Sequence, residues 1–211
     1  MFDIASLTKV ISTTSAVALL YQEGYLDLDT LVVDILGPSF SSNGKHAISI
    51  RNCLLHNAGF APDPVPWYWS PDFPCPNTND SSPEEDFSCL EPYIHASLYN
   101  ESLQSVPGHV YVYSDLSFIT LQMVVGTLVR KHGLVTPLEY RQECRDWLRK
   151  QGHSLSVVTQ DVCAFEAFVD RYVFGRRVRG AERGWMPSSG YLPLPEVWDT
   201  CLPTLNDTGI A

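Results

Sequence analysis

The sequence predicts a mainly α-helical chain with long irregular loops. Three observations support this. Apolar residues recur at helical spacing after Ser6 and again after Asp115. Residues 60–92 hold more than half of the chain's prolines. Only Ala47 to Ile50 and Val110 to Tyr113 read as short extended pieces.

The first element starts at Ser6. Leu7, Val10, Ile11, Val17, Ala18, Leu19 and Leu20 mark one apolar side of a helix, and Gly24 is its expected stop. Leu31 to Leu36 follow, closed by Gly37-Pro38. Ser49 is placed to cap a short helix through Cys53, Leu54 and Leu55, which His56-Asn57-Ala58-Gly59 ends. Residues 60–92 read as a Pro-rich loop or insertion, with Trp67, Tyr68 and Trp69 either lining a groove or pinning the loop to the surface. Pro107-Gly108 turns the chain into Val110 to Tyr113. Ser114 or Asp115 then caps a helix carrying Leu116, Ile119, Leu121, Met123, Val124 and Leu128, stopped by Gly133. Further helices are expected from about Leu138 to Lys150 and from Val162 to Val173. Residues 175–211 show no period and read as an irregular tail, in which Arg176, Arg177, Arg179 and Arg183 form a solvated basic patch. The whole chain, 1–211, is expected to form a single partial domain.

Composition narrows the function. With 14 basic and 24 acidic residues the formal charge is −10, which disfavours a nucleic-acid binder. No apolar run is long enough to span a bilayer, and residues 1–6 lack a signal-peptide layout, so the expected location is cytoplasmic. The six cysteines form no C-x-x-C pair, and no histidine pair has metal-ligand spacing, so neither a metal nor another cofactor is expected. Six free thiols in a reducing compartment are the expectation, with a Cys75–Cys89 bridge as the rival. Asn79, Asn100 and Asn206 each open an Asn-x-Ser/Thr triplet, a pattern that arises easily by chance.

Two short motifs carry chemistry. Ser6 and Lys9 stand three residues apart, so on a helix the amine can reach the hydroxyl. A serine hydroxyl becomes nucleophilic when a base removes its proton, and a lysine serves as that base only when neutral. A helix start adds free N–H groups that favour an oxyanion. Tyr113-Ser114-Asp115 supplies a phenol that can relay protons, sited between a turn and a helix. Taken singly, each motif reads as an ordinary helix start or a strand tyrosine before a capping residue.

Their combination is more specific. Phe2-Asp3-Ile4-Ala5-Ser6-Leu7-Thr8-Lys9 heads a helix reaching Glu23-Gly24-Tyr25-Leu26-Asp27; Leu54-Leu55-His56-Asn57-Ala58-Gly59 follows; then come Val106-Pro107-Gly108 and Tyr111 to Leu116. This closely resembles the serine β-lactamase-like family: class C β-lactamases, D,D-peptidases and related esterases. The resemblance covers residues 2–60 and 103–135, and is fainter at Asn206-Asp207-Thr208-Gly209. It implies Ser6 as the acylated nucleophile, Lys9 and Tyr113 as proton carriers and Asp115 as their support. His56 and Gly59 would belong to a structural turn bordering the site, with Asn57-Ala58 where the family has Thr-Ser.

The fold implied is a partial α+β domain of that family, lacking most of its antiparallel sheet. The family's first strands precede the S-x-x-K helix, and a Lys-Thr-Gly or His-x-Gly strand follows later. Lys131-His132-Gly133 is no substitute, because it ends a helix. The chain therefore reads as a fragment, the middle of a larger hydrolase. The resemblance implies acyl transfer on a lactam, ester or peptide carbonyl, with a small molecule or peptide as substrate. The isolated chain is expected to be inactive. The alternative is a catalytically dead remnant serving as a binding or scaffold module, or an incomplete gene product.

Overall fold

A computed structural model of the chain describes residues 4–68, 70–75, 83–152 and 156–175. The basic patch at Arg176 to Arg183, the tail it sits in, Trp69, and the triplets at Asn79 and Asn206 lie outside the described residues. The helices are α1 (Ser15–Gln22), α2 (Val32–Leu36), α3 (Ile50–Leu54), α4 (Pro83–Ile94), α5 (Asp115–Lys131), α6 (Gln142–Gln151) and α7 (Val157–Phe168). Wide π-helical turns extend three of them: Lys9–Thr14 leads into α1, His95–Tyr99 continues α4, and Val169–Val173 continues α7. Among the described residues the chain is mainly helical, and strand pairing is limited to one isolated bridge between Leu31 and Ser49.

The core forms around α5. This helix buries Leu116, Phe118, Leu121, Met123, Val124, Val125 and Leu128 together with the small residues Ser117, Thr120 and Gly126. Such all-round burial fits a helix packed on several sides. Its closest neighbour is α7. A Cβ at Gly126 would lie 2.0 Å from the Asp161 carbonyl oxygen, so the crossing needs glycine there. The same crossing buries Asp161, whose carboxylate accepts a 2.7 Å bond from Thr127 and pairs with Arg130. A charge taken from water needs such partners.

The first helix meets this core with only part of its apolar side. Ala16, Val17 and Leu20 are buried, whereas Leu7 and Val10 are 58% and 61% exposed. The apolar stripe read from the sequence is therefore half covered. Ser49 caps α3 as expected, through a reciprocal exchange with Asn52.

Several expectations need correction. Residues 60–92 are not loop throughout. Helix α4 starts at Pro83, where a missing N–H costs nothing because a first-turn donor has no helical partner. The aromatics of this stretch pin it to the domain: Tyr68 stacks on Tyr93 at 5.8 Å and meets Phe73 at 5.6 Å. Helix α7 starts at Val157, five residues before the expected Val162, because Ser156 caps it by accepting from the Thr159 N–H. The cysteines are not six free thiols. Cys75–Cys89 and Cys144–Cys163 are disulfides with Cα separations of 5.7 and 6.1 Å, and Cys53 is free and buried. The first ties the Pro-rich loop to α4, and the second joins α6 to α7. Among the described residues no helix is long and apolar enough to cross a membrane.

Candidate active site

The site is assembled by a turn acting on a distant segment. After α3 the chain reverses through His56 and Gly59, both at positive φ, +54° and +91°. Gly59 is required twice over. Its φ suits glycine, and a Cβ there would lie 2.2 Å from the Ser105 carbonyl oxygen. That close approach lets the turn's carbonyls bind the incoming chain. Gly59 accepts from the Gln104 N–H at 2.8 Å, Asn57 from Gly108 at 2.7 Å, and His56 from Val112 at 2.8 Å. Deeper in, Lys45 is fully buried and donates to the carbonyls of Tyr99 and Glu101 at 3.1 and 2.6 Å, fixing the start of the same segment. Burial holds its ammonium below its ordinary value, with only partial compensation from Glu101.

Residues 113–115 are held as tightly. The His56 Nδ1 accepts from the Ser114 N–H at 3.1 Å, the Ser114 hydroxyl donates to the Ala61 carbonyl at 2.6 Å, and the Asp115 N–H donates to Pro62 at 2.9 Å. Ser114 does occupy the N-cap position, but its hydroxyl is spent on Ala61. The Asp115 carboxylate is likewise turned away from capping and toward Lys9.

Lys9 is the hub. Its Nζ donates to Ser6 Oγ at 3.0 Å, lies 2.6 Å from Asp115 Oδ1, and sits 5.0 Å from the centroid of the Tyr113 ring. The structure thus brings Ser6, Lys9, Tyr113 and Asp115 together from two segments far apart in sequence. His56 and Gly59 stand one layer behind, in the turn. Ser6 is exposed and follows Ala5, which adopts φ +40°. A non-glycine residue there is uncommon and costs on the order of 1–3 kcal/mol.

The electrostatics revise one sequence expectation. Burial acts most strongly on Lys9 and pushes its pKa down, but hydrogen bonds and charge from Asp115 and Tyr113 together outweigh it, and the group sits above its ordinary value. Lys9 is therefore an ammonium at rest and not the neutral base the motif alone suggests. The His56 imidazole is held below its ordinary value, first by burial and then by the Lys9 charge.

A cavity of about 440 Å³ opens beside Ser6 and Lys9, walled by Tyr68, Tyr93, Phe118 and Gln122. Sequence reasoning named Tyr68 as a possible groove-lining residue and missed Tyr93, Phe118 and Gln122. Phe118 and Gln122 had a readable signal, since they lie about one and two turns along α5 from Asp115 and so share its face. Tyr93 had none, because the packing of the Pro-rich loop on α4 brings it there beside Tyr68. Among the described residues, no group of three or more His, Cys, Asp and Glu side chains could hold a metal ion.

Residues 1–132 match the family profile described as Beta-lactamase. The chain belongs to the beta-lactamase family. Among curated proteins, one named D-alanyl-D-alanine carboxypeptidase from Salmonella heidelberg is 28% identical over 134 residues, 61% of this chain and 28% of the relative. A protein of the same name from Salmonella schwarzengrund is 29% identical over the same shares. The match thus spans little more than a quarter of the length of these relatives. No solved structure matches the chain. The matched span includes the Ser6, His56 and Tyr113 motifs and ends just past α5.

Proposed function

We propose that the chain carries the nucleophile and proton-transfer groups of a serine hydrolase. The observation that supports this most is the Lys9 amine, set between the Ser6 hydroxyl and the Asp115 carboxylate within 3.0 Å of each. Ser6 Oγ attacks a carbonyl carbon, the bond to the leaving group breaks, and an acyl-enzyme forms. Because Lys9 starts charged, it accepts the Ser6 proton only as it passes one of its own to the Asp115 carboxylate, or to Tyr113 as that phenol gives up its own O–H proton toward the leaving group. The leaving group then takes that proton. Water reverses the sequence and frees Ser6. Asp115 holds Lys9 in place, and His56 and Gly59 hold the segment that carries Tyr113 and Asp115.

The substrate class is a lactam, ester or peptide carbonyl, and the names of the curated relatives make a peptide ending in D-alanyl-D-alanine one candidate. No strand among the described residues supplies a second oxyanion donor beside Ser6, and the loss of such a donor costs about 10² to 10³ in rate. That observation supports slow turnover by the isolated chain, and it also favours the second reading, a binding module of the same lineage. The two disulfides favour an oxidising compartment over the cytoplasm. The deciding experiment compares the chain with Ser6→Ala on a chromogenic β-lactam and a short-chain p-nitrophenyl ester. A rate that disappears in Ser6→Ala supports the hydrolase. Equal rates for the two proteins overturn it in favour of the binding module.

A further inference from the structure

His56 adopts a left-handed backbone conformation, φ +54°, at the end of α3. That conformation does two things at once. It points the His56 carbonyl at the Val112 N–H, 2.8 Å away, and it brings Nδ1 to the Ser114 N–H, 3.1 Å away. His56 therefore grips the backbone on both sides of Tyr113, Val112 through its carbonyl and Ser114 through its imidazole. Its ring also packs on the Tyr113 ring at 4.6 Å and on Phe118, from α5, at 5.0 Å. Tyr111 meets it edge-on at 6.0 Å.

A nitrogen that accepts a backbone N–H carries no proton, so His56 is the neutral tautomer with its proton on Nε2. A proton added to Nδ1 would face the Ser114 N–H donor to donor. The charged groups around the ring set the balance. Burial and then Lys9, from the first helix, oppose a second positive charge, while Asp115, from α5, and the Ser114 backbone favour it; Tyr111 and Tyr113 are the remaining titratable neighbours.

We infer that His56 is the positioning residue of the Ser6–Lys9–Tyr113–Asp115 group, and that it holds Tyr113 and Asp115 against Lys9 only while Nδ1 is free to accept the Ser114 N–H. Protonation of His56 releases that bond and loosens the segment. The latch stands on the geometry alone, and its consequence for catalysis rests on the serine-hydrolase reading. Burial and Lys9 together keep the latch closed to lower pH than a free imidazole would allow.

Two forms of the full chain test this. In wild type, imidazole nitrogen NMR reports the tautomer, and amide exchange reports the protection of Ser114. Between about pH 8 and about pH 5, the span a histidine titrates over, Ser114 protection should fall about tenfold with the His56 midpoint, as expected for one lost backbone bond. In His56→Asn the side-chain oxygen takes the place of Nδ1, asparagine tolerates positive φ, and nothing titrates. Protection should then persist across the range. A wild-type proton on Nδ1, pH-independent protection of Ser114, or the same loss in His56→Asn would each overturn the latch. Failure of the hydrolase reading looks different: Ser6 would resist acylation at every pH while the Ser114 titration stayed as described.

Discussion

Lys9 Nζ lies 2.6 Å from Asp115 Oδ1, and this pair joins the first helical turns of the chain to the first residue of the central helix α5. The lysine side chain is 14% exposed and the aspartate side chain 42%, so solvent screens the pair from the Asp115 side. Because the same amine also donates to Ser6, changes at Asp115 are felt at the Ser6 hydroxyl.

Asp115→Asn should lower the Lys9 pKa, since it removes the largest influence holding it up. In wild type the raised pKa contributes stability that is fully present below the ordinary lysine value of 10.5 and is lost as pH rises through the folded-state value. Denaturant midpoints measured from neutral to strongly alkaline pH should fall for wild type and fall less for Asp115→Asn. Nζ resonances of Lys9 read the same shift directly.

His56 acts at the other end of the scale. Its folded-state pKa is depressed, so its contribution is present above the ordinary histidine value of 6.5 and is lost as pH falls through the folded-state value. His56→Asn should flatten the acid side of the stability curve between those limits, as measured by denaturant midpoints.

Gly59→Ala meets both a left-handed backbone and a carbonyl oxygen at 2.2 Å. The expected cost is about 2–6 kcal/mol, the range of combined backbone strain and overpacking. Chemical denaturation measures it. The segment from Gln104 to Asp115 should also lose amide protection, because its anchors lie in that turn.

Lys45→Met fills the buried space but takes the Lys45 donor from the carbonyls of Tyr99 and Glu101, leaving Glu101 with only the longer bond from Asn43. Each buried unsatisfied group costs about 1–3 kcal/mol, so destabilisation of a few kcal/mol is expected in urea unfolding.

How far the sequence led can be read from these residues. The S-x-x-K spacing was legible because i and i+3 share a helix face, and Ser6 and Lys9 do meet. The cap at Ser49 and the extent of α5 were legible for the same local reason. The charge state of Lys9 was not, because it depends on Asp115 across the whole domain. The Cys75–Cys89 bridge was legible only as a rival reading, and Cys144–Cys163 was hidden because nothing in the local sequence says that α6 lies on α7. Helix α4 was masked by the prolines around it, although Pro83 is a good first helical residue.

The most direct measurement is covalent labelling of Ser6. The full chain is incubated with a serine-directed fluorophosphonate and mapped by peptide mass spectrometry. Lys9→Ala should slow the labelling by about 10² to 10⁴, the range a placed proton-transfer group contributes. In wild type we predict a slow adduct on Ser6 that is absent in Ser6→Ala. An adduct elsewhere, or none on Ser6 while Lys9 still holds its hydroxyl, would contradict the assignment of Ser6 as the nucleophile.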